Sequence, residues 1–228
     1  MATNKDLKRG GFYWKDKQPY ISVTTILSVI DKPALRYWFG KQVFLAMVKD
    51  PTLKEAEALS APYKVSDTAK TRGTTIHSVV EAYKKGSTIN LEGVPEALQG
   101  FTKAFYRAME EIDINFLEQE KTIFSKKHKI AGTLDLLAEI SKKMYVLDIK
   151  TGKDIYQEAF LQTSAYKSIL EEEGKKIDGI GILLLKEDGS YKFETRIDCE
   201  IETKGFYACK EIYEALHRED LEKIGYFK

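Results

Sequence analysis

Asp148 and Lys150 form the first arrangement in the sequence that could carry chemistry, because they stand two positions apart in the run MYVLDIKTG. On a strand, residues two apart share a face, so these side chains point one way while Leu147 and Ile149 point into the core. A carboxylate beside a cation can bind a metal ion and steer a water molecule. The ordinary interpretation is a surface ion pair, but the apolar run before Asp148 carries the pair inward.

Asp135 is a second acid within an apolar strand pattern, in AGTLDLLAEI. A strand there would direct Asp135 away from both Leu134 and Leu136. The SKK turn makes the two strands antiparallel neighbours, so we expect Asp135 to lie beside Asp148. Adjacent like charges are tolerated when a divalent cation neutralises them. The alternative is a pair of solvated carboxylates on an open sheet face.

Two further pairs have helical spacing, His77 with Glu81 and Gln162 with Tyr166. Each pair has an ordinary interpretation. A helical histidine is more often a packed or surface residue than a ligand, and Gln with Tyr commonly lines the polar edge of a half-buried helix. Together, however, the motifs GTxxH, GxxD, DxK and QxxxY occur in order, with strand and helix placements that agree.

These motifs resemble the RecB-like branch of the PD-(D/E)XK nuclease superfamily. The resemblance rests on Gly73 to His77, Gly132 to Asp135, Asp148 to Lys150 and Gln162 to Tyr166, and it spans most of the chain. Leu134 rather than proline precedes the first acid, although a Gly-x-x-Asp form is usual for this branch.

Within that branch the chain is most similar to mitochondrial genome maintenance exonuclease-like and phage-encoded exonucleases. These place an SVT-like segment and a tryptophan-bearing helix near the start, here Ser22 to Thr24 and Leu35 to Trp38. The cysteines of the iron-sulfur members are absent, so no iron-sulfur cluster is expected.

The resemblance implies a metal site and a catalytic cation. Asp135, Asp148, the Ile149 backbone carbonyl and His77 would hold Mg²⁺ or Mn²⁺, and Lys150 would orient or activate the attacking water.

The other members of the implied site would support these ligands. Gln162 and Tyr166 would fix the ligand positions, and Glu81 is a further candidate metal ligand. Glu118 and Glu120, at the start of the first predicted strand, are weaker candidates.

The residues proposed to contact DNA lie close in sequence to these motifs. Amides at the start of a short helix after Ser22 could bind a phosphate with the Ser22 and Thr24 hydroxyls, although plain capping is the alternative. Arg72 and Lys153 are candidate phosphate anchors. The aromatic run at 37–39 could stack on unpaired bases, but core packing is favoured for it.

The charge distribution separates two halves of the chain. The 228 residues carry 36 Lys and Arg against 35 Asp and Glu, which excludes a uniformly basic nucleic-acid wrapper. Residues 1–90 carry 15 basic and 8 acidic side chains, and residues 91–228 carry 21 and 27. A basic front and an acidic back suit a phosphate-binding half and a metal-binding half.

The chain has too few cysteines and histidines for a metal site made of these residues alone. Two cysteines exclude a disulfide framework and a four-cysteine zinc site, and three histidines leave any metal dependent on carboxylates. Oxygen ligands favour Mg²⁺ or Mn²⁺. Because no stretch is long and apolar enough to span a bilayer and the start lacks the apolar core of a signal peptide, we expect a cytoplasmic protein without a membrane partner. The similarity to phage-encoded exonucleases implies a bacterial or phage-infected cell.

The pattern predicts an α/β (α+β) fold, with a mixed central β-sheet flanked by helices. Helices are predicted at 33–49, 66–85 with Gly86 as a stop, 95–111, 155–172 and 202–221, with a capping box at Thr52 and Glu55. Three consecutive strands follow Asn115, with KKHK at 126–129 as a turn, and a hairpin is centred on 188–189. The resemblance implies a restriction-endonuclease-like αβββαβ core.

We expect a single nuclease domain over 1–228, with 1–114 as a mainly helical DNA-contacting half and 115–228 as the sheet-containing catalytic core. The leading hypothesis is a metal-dependent DNA exonuclease that acts on single-stranded DNA or resects duplex ends in repair or recombination. A structure-specific or restriction-like endonuclease and an inactive DNA-binding scaffold remain alternatives. A small-nucleotide phosphohydrolase ranks last, because no Gly-rich phosphate loop is present.

Overall fold

The computed structural model describes residues 8–83 and 94–227, except for the side chains of 8, 9, 68–70, 81 and 82. Among these residues, no helix has both the length and the apolar character needed to cross a membrane.

One mixed sheet organises the described chain. β3 runs parallel to β5 and β6 runs parallel to β7, while the other pairs are antiparallel. The strands are β1 (Lys8–Arg9), β2 (Phe12–Lys15), β3 (Gln18–Ser22), β4 (Asn115–Ser125), β5 (Ile130–Ile140), β6 (Lys143–Thr151), β7 (Gly179–Leu185) and β8 (Tyr191–Arg196).

Helices cover both faces of this sheet, which is why its central strands are apolar on both sides. The seven residues of β7 are all buried, as expected for a strand covered on both faces. The helices are α1 (Val23–Ile26), α2 (Pro33–Lys49), α3 (Glu55–Ala82), α4 (Glu96–Ile112), α5 (Gln157–Glu172), α6 (Glu200–Leu216) and α7 (Arg218–Lys223), with a 3-10 turn at Leu27–Val29.

Two apolar clusters join these layers. Phe160 of α5 and Phe206 of α6 pack with Val146 on one face of the sheet. Phe105 of α4 and Ile76 of α3 pack on the other face. The sheet is therefore held between α5 and α6 on one side and α3 and α4 on the other.

One edge of β5 is divided between two partner strands. Ala131 pairs with Ser22 of β3, and the ladder with β6 begins only at Leu136 opposite Leu147. Residues 132–135 fall between these two ladders, while the opposite edge of β5 pairs with β4. The sheet consequently opens into a fork between β5 and β6, and Asp135 lies at the fork.

The predicted fold class is confirmed, with α4, β4, β5, β6, α5 and β7 in the αβββαβ order. The turn at 126–129 and the hairpin at 188–189 are also confirmed. The predicted final helix is divided into α6 and α7.

The front of the chain differs from the largely helical prediction, because β1, β2 and β3 precede the first helix. Asp16 and Lys17 turn β2 into β3 with φ of 50° and 63°. Such two-residue turns are usually marked by Asn-Gly or Asp-Gly, which this sequence lacks here.

Two helix predictions need correction. α3 starts at Glu55 rather than 66, and its first turn is capped by the Glu57 carboxylate, which accepts from the Lys54 N–H at 3.1 Å. The predicted capping box at 52 and 55 is therefore wrong, since the Thr52 hydroxyl donates to Asp50 instead. Gly86, the predicted stop, lies outside the described residues.

The aromatic run on α2 is not core, contrary to the favoured interpretation. None of the seventeen residues of α2 is buried. Tyr37 is 75% exposed, and Trp38 is half-buried and packs edge-to-face on Phe39. The Phe39 ring in turn packs on Tyr63 of α3. The run thus joins α2 to α3 and leaves Tyr37 facing solvent.

We predict that Gly132→Ala destabilises the fold by about 1–3 kcal/mol, because overpacking a filled core displaces neighbours. A Cβ at Gly132 would lie 2.4 Å from Cε1 of the buried Tyr166 ring. Gly40→Ala on α2 is the matched control, because its Cβ would meet no atom within 4 Å and helical alanine is favoured over glycine. Urea unfolding measures both variants. Equal stability of the two variants would contradict the prediction.

Candidate metal and catalytic site

The Asp135 side chain connects β5 to β6 at the fork between them. The ladder register continues to the level of Asp135 and Asp148, where the Ile149 N–H donates to Asp135 Oδ2 at 2.8 Å. A side chain here replaces the backbone acceptor that a continuing ladder would use. The prediction that Asp135 lies near Asp148 agrees with this geometry.

The strand alternation breaks at Asp135, which corrects the expected position of its neighbours. Leu134 packs in the cluster under α5, whereas Leu136 packs in the cluster under α3 and α4. An unbroken strand would place both on one face. Opposite Asp135 in the β4 ladder lies Glu120, with φ of 45°, in the left-handed region that non-glycine residues rarely adopt.

His77 on α3 meets these two acids. Its Nδ1 lies 3.1 Å from Glu120 Oε1, and its Nε2 lies 3.8 Å from Asp135 Oδ2. One ligand atom from each of the three residues lies within 4.8 Å of the others. An imidazole and two carboxylates at this spacing are a donor set suited to a divalent ion.

Asp148 faces a different set of partners, across the sheet on the α5 side. It is 1% exposed, and its Oδ1 accepts from Lys150 Nζ at 2.9 Å and from Gln162 Nε2 at 3.0 Å. Lys150 Nζ also lies 2.7 Å from Oδ2, but off the hydrogen-bonding direction. Oδ2 thus has an ionic neighbour but accepts no hydrogen bond in the described residues.

Tyr166 completes this network. Gln162 Nε2 lies 3.2 Å from the Tyr166 hydroxyl as well as within reach of Asp148, so one amide contacts both. The Tyr166 ring is buried against Gly132, and a Cβ atom at position 132 would collide with that ring. The glycine of the GxxD motif and the tyrosine of the QxxxY motif are therefore one packing unit.

Crowded charges shift the ionisation of the site. A hydrogen bond to Glu120, with help from nearby Asp135 and against burial, raises the pKa of His77 to about 9. Burial, reinforced by the charge of Asp148, raises the pKa of Asp135 to about 7. Burial opposes the charged form of Lys150, but the Asp148 and Asp135 carboxylates outweigh it and raise the pKa of Lys150.

A divalent cation fits this site. The carboxylates of Glu120 and Asp135 meet His77 at the fork, and among the described residues the neighbouring Asp148 has one buried oxygen that accepts no hydrogen bond. Oxygen and imidazole donors in this number suit Mg²⁺ or Mn²⁺. Glu120, ranked low from sequence, contacts His77 directly. Its position depends on the left-handed backbone at Glu120 in β4, which cannot be predicted from the sequence.

Other predicted residues are placed away from this centre. Glu118 contacts Lys121 and Lys175 instead of the cluster. The side chain of Glu81 lies outside the described residues. Arg72 places its guanidinium 4.9 Å over the Phe101 ring of α4, so one face of it packs against the apolar cluster.

The predicted DNA contacts near the front differ in exposure. Ser22 is 1% exposed and its hydroxyl is hydrogen-bonded to Thr24 at 2.9 Å, so a direct phosphate contact by Ser22 is not supported. The helix after it is only one turn long. Thr24 and Lys153 are both exposed, and Lys153 directly follows the end of β6.

Comparisons with known proteins give a weak structural likeness. No family model and no curated protein matches the chain. The protein in the crystal structure of SSO0001 is 14% identical in sequence and aligns with a TM-score of 0.42. The alignment covers 86% of this chain and 75% of that protein's chain. An alkaline exonuclease from Laribacter hongkongensis is 12% identical in sequence and aligns with a TM-score of 0.32. The alignment covers 89% of this chain and 94% of the exonuclease chain. Both TM-scores lie below 0.5, so these likenesses carry no functional argument.

We predict that divalent metal binding releases protons and tightens as pH rises. A metal ligand must be unprotonated, whereas Asp135 has a pKa of about 7 and His77 a pKa of about 9. The affinity for Mn²⁺ should therefore increase from about pH 6 to about pH 9 and then level off. Calorimetry in two buffers of different ionisation enthalpy measures the protons released. Binding that is independent of both pH and buffer would exclude these ligands.

Glu120→Gln should lower the pKa of His77 in the metal-free protein, because the hydrogen bond to the carboxylate is the largest cause of its elevation. Glu118→Gln is the matched control on the same strand, since Glu118 contacts two lysines instead. An NMR titration of the histidine ring resonances, assigned with His77→Asn, measures the change. A His77 pKa that is equal in both variants would show that Glu120 does not hold the imidazole.

Proposed function

We propose that the protein is a metal-dependent nuclease that hydrolyses DNA phosphodiester bonds, and that it acts as an exonuclease on single-stranded DNA or duplex ends. The observation that carries this proposal is the meeting of two residue sets at one fork. His77, Glu120 and Asp135 lie on one side, and Asp148 with Lys150 lies on the other. Apolar side chains would stabilise this part of the sheet at least as well as an ionic cluster does. The cluster is therefore better explained by function than by packing.

The metal would be held by Asp135, Asp148, His77 and the Ile149 carbonyl, with Glu120 beside His77. A bound Mg²⁺ or Mn²⁺ lowers the pKa of water and neutralises charge that grows on the scissile phosphate. Asp135 is already oriented for this task, because the Ile149 N–H fixes one of its oxygens.

Lys150 is proposed to act as a fixed cation. The carboxylates around it keep it protonated, because they raise its pKa despite burial. A protonated amine cannot remove a proton from water, but it stabilises negative charge on the phosphate in the transition state. Its place beside Asp148 keeps this charge at the fork.

Gln162 and Tyr166 are proposed to act through Asp148. The Gln162 amide donates to Asp148 Oδ1, and the Tyr166 hydroxyl lies 3.2 Å from the same amide nitrogen. Both are held by burial on α5. This arrangement restricts the carboxylate to one orientation, as hydrogen-bonded neighbours of metal ligands do.

DNA would approach from the end of β6, where Lys153 is exposed, and from Thr24 near the candidate site. The resemblance to RecB-like exonucleases favours cleavage from strand ends. An endonuclease of the same superfamily is the competing activity, and substrate topology separates the two.

We expect purified protein to degrade end-labelled single-stranded DNA when Mg²⁺ or Mn²⁺ is added, and to stop when EDTA is added. Asp148→Asn and Lys150→Gln should each reduce the rate by about two to three orders of magnitude, because charge stabilisation at the fork is lost. Asp220→Asn, an exposed acid on α7 paired with Lys223, is the control and should retain the rate.

Covalently closed single-stranded circles distinguish the two activities, since an exonuclease leaves them intact. Degradation of circles would replace the exonuclease with an endonuclease. Absence of degradation of any DNA, with the wild type and Asp148→Asn alike, would leave the DNA-binding scaffold as the better account.

A further inference from the structure

A cleft of about 790 Å³ lies directly beside the candidate site. Thr24, the 3-10 turn after α1 and the start of α2 form one wall, and Glu158 and Gln162 of α5 form the other. Gln162 therefore borders the cleft and also donates to Asp148. Anything seated in the cleft would lie next to the proposed catalytic carboxylates.

An ion pair spans this cleft. Lys32 Nζ, at the start of α2, lies 3.0 Å from Glu158 Oε1 on α5. On the rim, Arg36 donates to Asp31 at 2.8 Å. The two cations of the cleft are thus both paired with acids, so the cleft is not strongly positive as it stands.

The spanning pair is exposed enough to be exchanged. The Lys32 side chain is 44% exposed and that of Glu158 is 30%. Ion pairs open to solvent in this way contribute little to stability, and another anion can compete for the lysine. Glu158 also lies one helical turn before Gln162, so both residues line the same wall of the cleft.

We propose that this cleft receives an unpaired DNA strand, and that Lys32 leaves Glu158 to bind a backbone phosphate when the strand enters. The inference rests on the proposed nuclease function. It adds the place where the substrate strand binds and the ion pair that must open for the strand to enter. In the free protein, the Lys32–Glu158 pair joins the two walls of the cleft that Gln162 borders. A phosphate takes over the lysine, and the Glu158 carboxylate turns away from the incoming anion.

The size and lining of the cleft favour a single strand. A cavity of this volume matches a small-molecule ligand, so it can hold a nucleotide or two rather than a duplex. Phe39 lines the cleft and offers an aromatic ring for an unpaired base. Thr24 adds a hydroxyl that can donate to a phosphate.

The proposal predicts opposite effects for the two partners of the pair. Lys32→Gln should weaken binding of a fluorescent oligothymidylate of roughly 16 nucleotides by about 5-fold to 10-fold and lower the salt dependence by about one phosphate contact. Glu158→Gln should tighten binding several-fold, because it frees Lys32 and removes a repelling charge. Lys204→Gln and Glu200→Gln, from an exposed pair on α6, are the matched controls and should leave the affinity unchanged.

Fluorescence anisotropy on the full chain measures these affinities, with Ca²⁺ replacing Mg²⁺ and with gel analysis to confirm that the oligonucleotide stays intact. A pair that only ties α2 to α5 would give shifts of the same sign for Lys32→Gln and Glu158→Gln, or none, and would overturn the proposal. Equal competition by a blunt duplex would overturn the single-strand preference. Opposite shifts without any DNA cleavage would refute the nuclease and keep the cleft, whereas cleavage with unchanged affinities would refute the cleft alone.

Discussion

Three carboxylates crowd at the fork between β5 and β6, and this like-charge crowding is the constraint on which the rest of the structure depends. Glu120 and Asp135 meet there on the His77 side, Asp148 follows on the α5 side, and the nearby cations are Lys150 and a protonated His77. When all three carboxylates are ionised and both cations are charged, the cluster carries one net negative charge, and Asp135 and Asp148 are its most buried members. Buried charges of this kind are retained where they bind an ion or do chemistry. A divalent cation would favour the ionised form of Asp135, whose pKa is raised by burial and then by the charge of Asp148.

The sheet makes this crowding feasible by covering both faces with helices and by dividing one edge of β5. Because β3 pairs with the start of β5 and β6 with its end, the intervening stretch is free to hold a side chain rather than a ladder. α3 delivers His77 from one face and α5 delivers Gln162 from the other. Gly132 lets the Tyr166 ring approach the strand, so the network on the α5 side is built from packing as well as hydrogen bonds.

Part of this arrangement could be predicted from spacing alone. Period-two and helical periodicity place Lys150 with Asp148 and Tyr166 with Gln162, and the contacts agree because those local periods survive folding. From sequence, Glu120 is only a weaker candidate beside Glu118, because its position follows from a left-handed backbone within β4. The hairpin of β2 and β3 is not evident from the sequence, because its turn at Asp16 and Lys17 lacks the usual glycine. Pairing between distant segments, such as Lys32 with Glu158, leaves no periodic signal in the sequence.

The central claim is that the fork holds a divalent ion between the carboxylates of β5 and β6. The most direct test is anomalous diffraction at the manganese edge from crystals soaked in Mn²⁺. The account predicts one strong peak within bonding distance of Asp135 and Asp148. Well-ordered carboxylates with no anomalous peak between them, or a peak only at the protein surface, would contradict it.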